Sequence, residues 1–127
     1  MISMKVGKLK IITESEGMRS EFFSDATVEF FDGYFCIHYT VEEDEAALTW
    51  NGASLRMERF GSVHLEAEYA AGERTEMVMH SAHGSGQIPI ETSRLSVLEQ
   101  GTDIFILLIY SLIFNKDSKD FRLEIFV

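Results

Sequence analysis

The 127 residues suit one domain, and 46% hydrophobic with 12% aromatic residues is enough for a single core. Twenty-one acids against eleven bases give a net charge of −10. That argues against nucleic acid and against anionic membranes, both of which are gripped by clusters of Lys and Arg. Cys36 is the one cysteine, which excludes an intramolecular disulfide and a cysteine-built zinc site.

The N-terminal MISMKVGKLK places lysines where a signal peptide would carry its apolar run, so a cytoplasmic location is expected. Strict alternation follows. Phe22, Ser24, Ala26, Val28 and Phe30 share one face, with Glu21, Asp25, Thr27 and Glu29 on the other. This is the period of a half-buried strand. Asp32-Gly33 then reads as a hairpin turn, because both residues tolerate positive φ. Phe35, Ile37, Tyr39 and Val41 alternate next with Tyr34, Cys36, His38 and Thr40. The acidic run Glu42-Glu43-Asp44-Glu45 lacks the spaced oxygen ligands and the glycine of a calcium loop, and reads as a solvated turn.

Leu55 and Met57 continue the inward parity, and Arg59 follows them. Val63, Leu65, Ala67 and Tyr69 form another alternating run. Ala70-Ala71-Gly72 fits a three-residue hairpin loop, after which Met77 and Met79 return to the core face. Gly84-Ser85-Gly86 resembles a phosphate cradle only superficially. A strand-like QIPIE follows it, not the helix that a phosphate site needs. Pro89, the only proline, belongs at a bulge or an edge because it cannot donate to a ladder. The segment TSRLSVLEQG is the nearest thing to a helix, but it is short and rich in Ser and Thr.

The apolar run from Ile104 to Phe114 is about half the ~20 residues of a membrane span. It reads as a buried strand, with Ile104, Ile106, Leu108 and Leu112 on one face. The opposite face, through Phe105, Leu107 and Ile109, predicts a homodimer interface. Asn115-Lys116-Asp117-Ser118 makes the last turn before Phe121, Leu123, Ile125 and Val127. Eight to ten short strands with tight turns predict an all-β fold in a single domain over 1–127. The expected form is an antiparallel meander closing into a barrel.

Three groups are candidates for chemistry. Arg59 on an inward face must find a carboxylate or an aromatic ring, or meet an anionic ligand at the barrel mouth. His64, His80 and His83 are weak zinc candidates. His64 and His80 share the outer face, but three-residue spacing on a strand sends His80 and His83 to opposite sides. Cys36 and His38 share a face without a third orienting group, which reads as a quiet thiol.

The segments RMERFGSV, HSAHGSGQIPIETSRL and LLIYSLIF resemble, in order and spacing, a family of small bacterial β-barrel proteins, the YwiB-like family. The matching features are Arg59-Phe60-Gly61, Gly84 with Thr92, Tyr110 in a late apolar strand, and Tyr39 ahead of Glu42 and Glu43. Two positions depart from it. His83 stands where the family carries an aromatic residue, and Glu42 follows Tyr39 at a greater distance. The only tryptophan is Trp50, so the early Gly-x-Trp of secreted lipocalins is missing.

The resemblance implies a calycin-like barrel, lipocalin-like in shape, with no established function. The leading expectation is a binding protein for a small, partly apolar ligand. Arg59, Tyr39 and Tyr69 would line the polar end, and Met57, Met77 and Met79 would form an adaptable apolar wall. The alternative is a homodimeric interaction scaffold with a packed interior. Enzymatic activity ranks last, and no cofactor is expected.

Overall fold

The computed structural model describes residues 2–127. Its strands are β1 (Ser3–Ser15), β2 (Met18–Phe31), β3 (Tyr34–Val41), β4 (Asp44–Trp50), β5 (Leu55–Phe60), β6 (Val63–Tyr69), β7 (Arg74–Ser81), β8 (Gly84–Gln100), β9 (Asp103–Phe114) and β10 (Asp117–Phe126). Each strand pairs antiparallel with the next, and β10 returns to pair with β1, so the meander closes into a barrel. No helix among the described residues is long and apolar enough to cross a membrane.

The alternating sequence dictates this architecture, because one face of every strand must be buried and closure buries all ten at once. The inward positions match those read from the sequence: Val28, Phe35, Tyr69, Ile106 and Ile125 are each 1% exposed or less, and Leu9 of β1 joins them. Gly33 adopts φ 85° in the β2–β3 turn and Gly72 adopts φ 74° in the β6–β7 turn, conformations that side chains with a Cβ resist. TSRLSVLEQG is strand from Thr92 to Gln100, inside the long β8, which bulges between Thr92 and Arg94, and its Gly101 enters the β8–β9 turn. Pro89 lies four residues before that bulge's Ser93 and pairs with Glu76 of β7. The β8–β9 ladder runs only from Ile90 onward. Thr92 donates its N–H to Glu73 on the β7 side. By alternation the nitrogen of Pro89 therefore faces the other side, where no β9 residue pairs with it.

The closing seam is short. β1 pairs with β2 along its whole length, from Ser3 to Ser15, but with β10 only from Lys10 to Glu14. Below Lys10 the gap is crossed by a side chain. Lys5 Nζ donates to the Thr102 carbonyl at 2.8 Å and pairs with Asp103 at 3.1 Å. Its stem runs past Gly7, where an added Cβ would stand 3.1 Å from Lys5 Cε. Lys5→Ala should therefore lower the urea unfolding free energy by about 1 kcal/mol, the usual worth of one such bond. Leu108→Ala, which deletes a fully buried side chain, should lower it by about 3 kcal/mol.

Candidate functional site

Register assembles a polar cluster at the hairpin end of the barrel. Ala46 of β4 faces Arg59 of β5, and Asp44 sits two residues before Ala46 on the same inward side. Arg59 Nε donates to Asp44 Oδ2 at 2.8 Å, and the Glu42 carboxylate stands 3.8 Å from the same guanidinium. Gly61 makes this pairing possible, since a Cβ there would overlap the Asp44 carboxylate. The Arg59-Phe60-Gly61 signature thus has a steric basis: the glycine leaves room for the acid that the arginine binds. Arg59 keeps 37% of its side chain exposed, so it sits at the rim and not inside the barrel.

Below the rim lie three tyrosines. The Tyr69 and Tyr110 rings are 4.7 Å apart, Tyr110 stacks on Phe121 at 5.1 Å, and Phe22 packs on Tyr39 at 6.0 Å. The hydroxyls of Tyr69 and Thr92 are buried with no hydrogen-bond partner among the described residues. Burial raises the pKa of all three phenols. Tyr69 rises furthest, with the Tyr110 and Tyr39 phenols adding to the effect of burial, while the Arg59 charge partly offsets the rise at Tyr39.

Met57 and Met77 both face inward across Ala67, and Met79 lies opposite Leu65 nearer the rim. These methionines and tyrosines come together as expected, but as packing and not as the wall of a chamber. Tyr39, Tyr69 and Met77 are all below 9% exposed. A ligand-sized void would leave its lining atoms accessible to water. The middle of this barrel is packed with its own side chains, and the tyrosines and methionines expected to line a chamber contribute to that packing.

The histidines divide. His64 and His80 face each other across β6 and β7 with ring centroids 6.2 Å apart. His83 stands exposed in the β7–β8 turn and takes no part. The donors nearest His64 Nε2 are Glu66 at 3.4 Å and Glu58 at 4.0 Å. Glu58, His64 and Glu66 are therefore the set that could hold a divalent ion, in place of three histidines. Arg56 already binds both carboxylates at 3.0 Å, which offsets part of their charge without an ion. Glu58 and Glu66 escaped the sequence reading because only the β5–β6 register sets them opposite one another. Asp44 escaped for the same reason.

Cys36 contacts Thr49 Oγ1 at 3.3 Å, and burial raises its pKa, which disfavours the thiolate. His38 pairs with Glu29 at 2.8 Å and not with Cys36. On the outer face of β9, Leu107 is only 8% exposed and Phe105 packs on Phe126 at 4.9 Å. Ile109 is half-buried. Leu107 is thus buried within the single chain.

A closed antiparallel meander with a packed centre and a charged rim defines a ten-stranded β-barrel protein. The chain belongs to the family described as a domain of unknown function, DUF1934, whose model matches residues 4–125. Its fold is similar to that of the ywiB protein from Bacillus subtilis, known from a crystal structure. The TM-score is 0.75 at 14% identity, over 97% of this chain and 88% of that one. No functionally curated protein matches the sequence.

The raised phenol pKa values carry a sign. The unfolded chain releases its tyrosine protons near pH 10 while the folded chain retains them, so their contribution to stability is intact below that pH and falls as pH rises through the folded values. Urea titrations should show an unfolding free energy that starts to fall above about pH 8.5, where the Cys36 thiol ionises in the unfolded chain, and falls more steeply above about 10 as the tyrosines follow. Tyr69→Phe should flatten that decline. At pH 7 it should be neutral or stabilising by about 1 kcal/mol, because it removes an unpartnered hydroxyl. Gly61→Ala should destabilise by about 1–3 kcal/mol as the new methyl displaces Asp44.

Proposed function

We propose that this protein is an interaction scaffold that acts through its outer surface, without a ligand inside the barrel. The observation that carries this reading is the filled interior. Phe35, Ile37, Leu55 and Ile90 at 0% exposure leave no space at mid-barrel for a guest. The fold alone is silent on function, since barrels of this kind host many activities. Native mass spectrometry of the protein isolated from its own host should give the bare chain mass, as a monomer or an oligomer. A small-molecule mass excess lost on denaturation would overturn the reading.

One observation favours a second reading. Tyr69 keeps an unpartnered hydroxyl beneath a rim that carries Arg59. A small, partly apolar anion could bind at that mouth, with its charge on Arg59 and its body against Tyr39 and Met79. In that case Arg59→Ala would abolish the mass excess and leave the fold intact. If Arg59→Ala retained the excess, the ligand would lie elsewhere.

A further inference from the structure

The seam exposes a feature that closure was meant to remove, an open strand edge. Among the described residues, only β2 pairs with the Ser3–Leu9 part of β1. The orientation of the free backbone groups follows from the ladders. Ile104 and Val127 exchange both of their hydrogen bonds, so odd positions at the end of β10 face β9 and even positions face β1. Phe126 then meets Lys10, and the even positions of β1 answer β10. The register is unbroken down to Ser3, so the N–H and C=O groups of Met4, Val6 and Lys8 point into the gap.

Beside this edge lies a cavity of about 440 Å³. Its floor is Leu9, Ile104 and Val127, and Phe23, Leu98 and Phe126 stand around it. Val6 is 78% exposed and Phe23 65%. The charge is also distinctive. The segment Ser3–Thr13 carries Lys5, Lys8 and Lys10 and no acid, in a chain of net charge −10. Lys8 pairs with Asp25 and Lys10 with Glu21, but both are exposed pairs that a competing carboxylate could exchange cheaply. Other stretches are also paired on one side only: Met18–Asp25 of β2 carries Glu21 and Asp25, and Gly84–Pro89 of β8 is blunted by its proline, whereas Ser3–Leu9 carries neither an acid nor a proline.

We infer that the free edge of β1, with the apolar cavity beside it, binds an extended segment of another protein that alternates acidic and apolar residues. This deepens the scaffold reading and rests on it. The segment adds as a strand along the track that β10 leaves below Lys10, displacing the Lys5 side chain that crosses it to Thr102 and Asp103, and bonds to Met4, Val6 and Lys8. Its apolar side chains settle on Leu9, Ile104 and Val127, and its carboxylates meet Lys8 and Lys10. A second copy of this chain is disfavoured as occupant, because pairing β1 with itself would bring the lysines of both copies together.

The test uses the full chain, a dye-labelled peptide of alternating valine and glutamate, and the same peptide with lysine for glutamate. The acidic peptide should bind, more weakly as salt is raised, and the basic one should not. Binding should slow amide exchange at Met4, Val6 and Lys8. Val6→Pro removes an N–H that β2 does not use, so the fold should survive while affinity falls by about tenfold or more. Amide protection in the unmodified chain remains a readout if that variant fails to fold.

Three outcomes would overturn the edge site: no binding, equal binding of both peptides, or equal affinity of the Val6→Pro variant. The last would still leave a surface interaction, and with it the scaffold reading, standing. A dimer by sedimentation that Val6→Pro dissociates would overturn the acidic partner in favour of self-pairing. A barrel ligand in the native mass spectrum would count against the scaffold reading alone.

Discussion

The pairing of β1 with β10 is the constraint on which the rest of the molecule depends. Ten alternating strands bury their apolar faces only if the first and last strands meet. That meeting is confined to Lys10–Glu14 against Arg122–Phe126, the shortest link between β1 and any neighbour. Lys5 supplements it by reaching Thr102 and Asp103, and Gly7 leaves room for the lysine stem. The consequence is a barrel that is closed in topology yet open along half of one strand.

Closure also decides where polar groups can stand. At mid-barrel the polar side chains tolerated are uncharged ones, Tyr69, Tyr110 and Thr92, and the hydroxyls of Tyr69 and Thr92 are left unpartnered among the described residues. A full charge is admitted only at the rim, where Arg59 meets Asp44 above the space left by Gly61. The rim pair therefore has a structural explanation independent of any ligand. Other charges gather on the outer wall. There Arg56 holds Glu58 and Glu66 around His64, and the lysines of β1 gather beside an apolar cavity.

The sequence by itself determined the strands, their inward faces and their turns. Side-chain parity has a period of two and needs no knowledge of neighbours. Phe35, Ile37 and Tyr39 could be assigned inward from their own strand alone, and Asp32-Gly33 announced its hairpin locally. The inward course of Arg59 and the separation of His83 from His80 were legible in the same way.

Only the tertiary structure decided what stands opposite what. Asp44 beside Arg59, Glu58 and Glu66 beside His64, and Leu107 under its sheet neighbours all depend on register between strands, which no single strand encodes. Whether the interior is hollow or full was likewise undecidable from composition, because the same phenylalanines and methionines could line a cavity or fill it. The open edge of β1 was the least legible of all. It depends on the register between strands more than a hundred residues apart, which neither strand's own pattern encodes.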